Sequence, residues 1–210
     1  MNEKFKELPE EKQQAILNAA MEVFSRNEYR HASTDLIAAR AGISKGLLFY
    51  YFHNKKELYL YLYTYVVEIM KEQVADQTFY QITDFFELLE YAAAKKAKIM
   101  QKNPYLLEFA IRSFYSERDA VSEDLQLINQ AVTETVRNEY FRNIDYSKFK
   151  EEIQPDKILM MIVWMADGYL RQLQMLKKPL ELSVLEKEFH EWTLLFKKMA
   201  YKEADQNECD

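Results

Sequence analysis

Only three glycines (Gly42, Gly46, Gly168) and four prolines (Pro9, Pro104, Pro155, Pro179) punctuate 210 residues. A β-rich chain of this length turns many times and draws on glycine and proline to do so, so the scarcity of both predicts helices joined by short connections. Apolar residues make up 49% of the chain and charged ones 30%, enough for a substantial core and too little polarity for wholesale disorder. The N-terminal stretch MNEKFKELPEEK has no apolar signal core. The longest fully apolar run, residues 158–166, is far short of the roughly 20 residues that span a bilayer. With one cysteine, Cys209, no internal disulfide and no thiolate zinc site is expected, and a cytoplasmic location without membrane contact is the natural expectation.

Helix signals succeed one another along the chain. Pro9 with Glu10 and Glu11 suits a helix start, and Ile16, Ala20 and Val23 mark one face of the helix they open. Thr34 is expected to cap a short helix over 35–41 that Gly42 closes, Ser44 one over 45–51, and Asn54 a longer one over 55–74. The alternation Leu58-Tyr59-Leu60-Tyr61-Leu62-Tyr63 has a strand's period, but both residue types are bulky and apolar. Leu58, Leu62, Val66 and Ile69 carry helical spacing onward, so the segment is assigned to a helix. Further helices are expected over 81–102, 105–117, 121–142, 146–153, 156–176 and 183–203, with Pro104, Pro155 and Pro179 at the breaks.

The formal net charge is −6, yet residues 30–56 hold five basic side chains (Arg30, Arg40, Lys45, Lys55, Lys56) against one acid, Asp35. A locally basic segment on an acidic chain suits a focused polyanion site, or else a solvated charged face. The same segment has the pattern of a helix-turn-helix, two short helices about Ala41-Gly42-Ile43-Ser44. The second helix, about 10 Å long, fits a major groove about 12 Å wide. Leu36, Ile37, Ala41, Ile43, Leu48 and Phe52 are expected to form its small core, leaving Ser44, Lys45, Gly46, Leu47, Tyr50 and Tyr51 facing outward.

From about residue 15 to 58, and most closely in IAARAGISKGLLFYYFHNKKEL, the sequence resembles the TetR family of transcriptional regulators. The resemblance implies an all-α fold: a three-helix head over residues 1–55, then a larger bundle over 56–210 that senses a ligand and dimerises. It further implies that Thr34 binds a phosphate, that Ser44 and Lys45 touch phosphates or base edges, and that Gly46 admits the DNA backbone. Tyr50 and Tyr51 would lie against the sugar-phosphate backbone and Lys55 would contact a phosphate. Two positions depart from the family pattern. Phe49 replaces a usual tyrosine and cannot hydrogen-bond a phosphate. Leu47 replaces a frequent polar residue and is suited either to a thymine methyl or to simple exposure.

Enzyme chemistry finds no motif. His31, His53 and His190 are scattered, Glu28-x-x-His31 has no second copy, and there is no H-E-x-x-H, P-loop or nucleophile elbow. No cofactor or metal is expected. Near the C-terminus, Leu182, Leu185, Phe189, Trp192, Phe196 and Met199 keep a 3,4 spacing, and Ile158, Ile162, Met165, Tyr169, Leu173 and Leu176 form a comparable stripe. These stripes either pack within one chain or make a homodimer interface through Ile162, Tyr169, Leu185, Phe189, Trp192 and Phe196. The aromatic and methionine-rich middle is either plain core or a cavity for a small hydrophobic effector, with Phe86, Phe109, Trp164 and Met165 as its candidate lining. The function expected is that of a repressor that binds palindromic double-stranded DNA as a homodimer and is released by the effector. The rival is a helical small-molecule-binding or scaffolding protein with a vestigial head.

Overall fold

A computed structural model describes residues 3–114 and 119–205; Cys209 lies outside them. Among the described residues are nine α-helices and no β-strand beyond one isolated bridge. They are α1 (Glu10–Arg26), α2 (Thr34–Arg40), α3 (Lys45–Phe52), α4 (Lys55–Val74), α5 (Phe85–Lys102), α6 (Pro104–Phe114), α7 (Ser122–Tyr140), α8 (Pro155–Met175) and α9 (Leu182–Ala200). The Leu/Tyr alternation is helical throughout α4. Its period-2 pattern separates no wet face from a dry one, so the pattern exerts no pull toward a sheet.

The chain forms two compact units, within Met1–Glu72 with Lys102–Arg137 and within Gln73–Gln101 with Asn138–Asp210. These packing units are cut differently from the functional segments 1–55 and 56–210 expected from the sequence, because α6 and most of α7 pack into the unit that contains the head. In that first unit Phe109 of α6 is fully buried beside Phe24 of α1 and Tyr59 of α4. The Tyr59 hydroxyl meets Ser113 Oγ at 2.8 Å, and Arg112 donates to the Ser25 carbonyl at 3.0 Å. Phe5, in a short 3₁₀ turn, packs on Phe52 and Tyr61 with ring centroids at 4.7 and 5.5 Å.

In the second unit Phe79, Phe85, Phe86, Phe149, Ile158, Ile162, Phe196 and Tyr201 share one core. The helix expected over 146–153 is absent, and only Tyr146–Lys148 forms a 3₁₀ turn. Asp145 accepts the Ser147 N–H at 2.9 Å, which competes with helix formation. Lys150 N–H then pairs with the Ala200 carbonyl and Lys202 N–H with the Lys148 carbonyl, making the antiparallel Phe149–Tyr201 bridge. Those donors are satisfied across the chain rather than along it. At the start of α5, four residues later than expected, the Asp84 carboxylate caps the Phe86 and Glu87 N–H groups at 3.0 and 3.1 Å.

Asp76 comes just after α4 and ties the connection to α5. Its carboxylate takes Lys95 Nζ at 2.6 Å, the Tyr91 hydroxyl at 2.9 Å and the Phe79 N–H at 3.0 Å. The lysine and then the backbone N–H hold its pKa near about 2, below the ordinary 3.8. A carboxyl whose folded pKa is depressed stabilises the fold above the unfolded value, and that contribution is lost as pH falls through the folded one. Asp76→Asn should therefore remove part of the acid sensitivity between about pH 4 and 2, measured by far-UV circular dichroism during acid titration. An unchanged acid transition would show that Asp76 contributes nothing to it.

Candidate nucleic-acid interface

The helix-turn-helix is built by caps that are local in sequence. Ser44 accepts the Leu47 N–H at 3.1 Å and opens α3, and the Asn54 side chain accepts the Glu57 N–H at 2.9 Å and opens α4. Glu57 Oε1 in turn accepts from the Asn54 amide at 3.1 Å, so the two side chains satisfy one another. Between α2 and α3 the chain turns at Gly42, whose φ of +67° is open to glycine at little cost. The α2 cap differs from expectation by one residue. Ser33, extended at φ −87° and ψ 118°, caps α2 by accepting the Leu36 N–H, and Thr34 is the first helical residue. The Thr34 hydroxyl is therefore not spent on that cap, and Thr34 stands half-buried at a helix N-terminus.

α3 presents most of the expected face. Ser44, Lys45, Gly46, Leu47 and Tyr50 are all placed on its accessible side, Tyr50 at 51% exposure. Leu48 and Phe52 point inward and are fully buried with Ile37. Four placements are corrected. Tyr51 is only 7% exposed and packs edge-on against Phe5 at 5.9 Å, so it does not face outward. Leu36, expected in the core, is exposed, while Ala41 and Ile43 stand outside the buried core. The small core recruits Phe5 from the N-terminal turn instead, a contact that no local spacing reveals.

Every one of the five cations of residues 30–56 has a partner. Lys45 pairs with Asp35 at 2.9 Å, Arg40 with Glu22 at 3.1 Å, Arg30 with Asp119 at 3.1 Å and Lys56 with Asp124 at 2.6 Å. Lys55 donates to the Arg30 carbonyl at 3.1 Å and lies 4.8 Å over the Tyr29 ring. Burial pushes the Lys55 pKa down, with the Asp119 charge acting in the opposite direction. The charge excess seen along the sequence is thus largely answered in space, by three acids outside the segment.

The other candidate residues are dispersed. Phe109 belongs to the core of the first unit, whereas Phe86, Trp164 and Met165 belong to the second. Phe86 is locked among Phe85, Phe149 and Tyr201, and Trp164 is 63% exposed. Two members of the expected dimer seam, Ile162 and Phe196, are buried in the core of the second unit, and half-buried Trp192 packs edge-on with Tyr169 at 5.9 Å and with Phe189 at 6.4 Å. Leu185 is half-buried. What α8 and α9 leave exposed is a different set, with Met161, Trp164 and Met175 on α8 and Val184, Leu194 and Leu195 on α9. Among the described residues no group of His, Cys, Asp and Glu is placed to hold a metal ion, and no helix is long and apolar enough to cross a membrane.

Comparison with known proteins supplies what geometry alone does not. Residues 16–62 match the model of the bacterial regulatory proteins, tetR family. An uncharacterized HTH-type transcriptional regulator, YhgD of Bacillus subtilis (strain 168), is 28% identical over 112 residues, which make up 49% of this chain and 58% of that protein. The match thus spans little more than half of that relative's length. Among solved structures, SmeT, the repressor of the Stenotrophomonas maltophilia multidrug efflux pump SmeDEF, superposes with a TM-score of 0.64 at 14% identity, covering 90% of each chain. A TetR-like transcriptional regulator from Rhodococcus sp. RHA1 gives 0.63 at 18% identity over 89% of this chain and 96% of that one. The fatty acid degradation regulator FadR from Bacillus halodurans gives 0.58 at 19% identity over 86% of this chain and 96% of that one. At these identities the likeness shows a shared fold.

Proposed function

We propose, on the match of residues 16–62 to the model of the tetR family of bacterial regulatory proteins, that the chain is a cytoplasmic transcriptional repressor acting as a homodimer on palindromic DNA. The observation that carries this reading is the accessible face of α3, where a capped N-terminus, Lys45, Gly46, Leu47 and Tyr50 stand together. The exposed N–H groups and dipole of a helix start attract phosphate, and the hydroxyls and cations position a duplex without spelling its sequence. Thr34 joins this face from α2, and Lys55, which gives one N–H to the Arg30 carbonyl, keeps two further donors for a phosphate. Gly46 supports the same reading. A Cβ added there meets nothing closer than Ser44 Oγ at 3.9 Å, so nothing within the chain calls for glycine. A close-approaching backbone does.

Gly168 supports the dimer in the same way. It lies inside α8, where glycine costs about 1 kcal/mol relative to alanine, and a Cβ there meets nothing within 4 Å. It falls in the stripe of Met161, Trp164 and Met175, so a second copy's helix is the natural cover. We place the dimer on this exposed face and not on the buried Ile162 and Phe196. The effector is taken to be small and hydrophobic, in keeping with the aromatic and methionine-rich sequence of the middle helices. It must bind one spacing of the two heads better than the other to change DNA affinity.

Iterative selection of random duplexes by the full chain tests the reading. An inverted repeat should be enriched, with half-site centres about 34–36 Å apart or a multiple of that. Enrichment of no palindrome would remove the repressor reading and leave the rival of a ligand-binding protein with a vestigial head.

A further inference from the structure

The sequence places a cationic surplus on the head, and the fold spends it. The turn that opens α7 brings two carboxylates to cations flanking the start of α4: Asp119 Oδ1 lies 3.1 Å from Arg30 Nε and Asp124 Oδ2 lies 2.6 Å from Lys56 Nζ. Asp119 is held in place because Ser122 Oγ accepts its N–H at 3.0 Å. Its charge also reaches Lys55, and the Asp124 contact raises the Lys56 pKa. All these residues belong to the first compact unit.

We propose that Asp119 and Asp124 form an internal phosphate mimic, an acidic clasp that occupies Arg30 and Lys56 and competes with a polyanion for them. This rests on the DNA-binding reading of the head. Both cations are exposed, Arg30 at 65% and Lys56 at 43%, and water screens their pairs, so exchanging carboxylate for phosphate costs the fold little. What the clasp sets is charge. A duplex that captures Arg30 and Lys56 frees two carboxylates, each of which takes up a cation and cancels part of the counterion release that drives binding. The clasp therefore lowers both DNA affinity and its salt dependence.

The test compares four proteins: the wild type, Asp119→Asn/Asp124→Asn, a charge-matched control Glu108→Gln/Glu134→Gln in the same unit, and the clasp variant combined with Arg30→Gln/Lys56→Gln. Asparagine still accepts a hydrogen bond at each site, so the fold is kept. Binding to a mixed-sequence duplex of about 30 base pairs is measured by fluorescence anisotropy across a salt series, and elution from heparin is measured alongside. The clasp variant should bind at least about five-fold more tightly at low salt, and its log–log salt slope should steepen by about 0.9 for each phosphate gained per protomer. The control should gain less, and the gain should vanish when Arg30 and Lys56 are removed. A clasp variant no different from the control, or a gain that survives loss of Arg30 and Lys56, overturns the proposal. If none of the four binds duplex, the DNA-binding reading fails. Heparin then decides the clasp: later elution of the clasp variant, abolished by removing Arg30 and Lys56, upholds it, and equal elution refutes it.

Discussion

Replacing Trp164 and Leu195 together by glutamate should give a folded monomer that no longer holds DNA tightly. Both side chains are exposed in the single chain, at 63% and 64%, so new charge there meets water and leaves the core intact. In a dimer built on this face the same carboxylates would be buried without partners, at a cost of several kcal/mol for each. Sedimentation should show the mass halved, with the circular dichroism of the wild type. Losing the second head removes the gain of joined sites, about 10²- to 10⁴-fold in affinity. A variant that still sediments as a dimer would move the interface elsewhere. The same substitutions at Trp192 and Phe196 would be a poorer test. Phe196 is 8% exposed inside the second unit and Trp192 packs on Tyr169 and Phe189, so charge there would damage the monomer first.

That contrast shows which parts of the fold are legible in sequence. A 3,4 spacing says that a helix buries one face, and it is silent on whether the cover comes from the same chain or another. Along the Leu182–Met199 seam Phe196 is buried and Phe189 packs on the same core, while Met199 is 46% exposed, and spacing alone does not name the partner. Caps are legible where the partner lies two or three residues away, as with Ser44 and Asn54. At Ser33 and Thr34 two adjacent hydroxyls compete, and backbone angles decide between them. The segment 146–153 has residue types that suit a helix, but Lys148 and Lys150 exchange backbone hydrogen bonds with Lys202 and Ala200, far along the chain. Charge behaves likewise. Counting along a window finds five cations and one acid, yet Glu22, Asp119 and Asp124 arrive only through the fold. The accessible face of α3 is largely readable because its pattern is short and local. Tyr51 is not, because Phe5 covers it from outside the motif.

Phe109 carries the last of these contrasts, between lining a cavity and filling a core. Its ring lies 5.0 Å from Tyr59, 6.2 Å from Phe24 and 6.5 Å from Tyr63, fully buried where α6 packs on α1 and α4. Burial pushes the Tyr63 pKa up to about 12. Phe109→Ala should therefore cost about 3–5 kcal/mol, the range for removing a large aromatic side chain from a packed site. Against a total of about 5–15 kcal/mol this leaves the fold marginal, and Tm should fall by on the order of 10 °C. Tyr59→Phe serves as the graded companion. It keeps the ring and strips the hydroxyl from buried Ser113, costing about 1–3 kcal/mol. Urea titration monitored by far-UV circular dichroism separates the two readings. A lining residue truncated to alanine would leave stability nearly unchanged and alter only the response to an effector. A midpoint for Phe109→Ala equal to that of the wild type would return Phe109 to the cavity wall, because a packed core cannot lose that ring without cost.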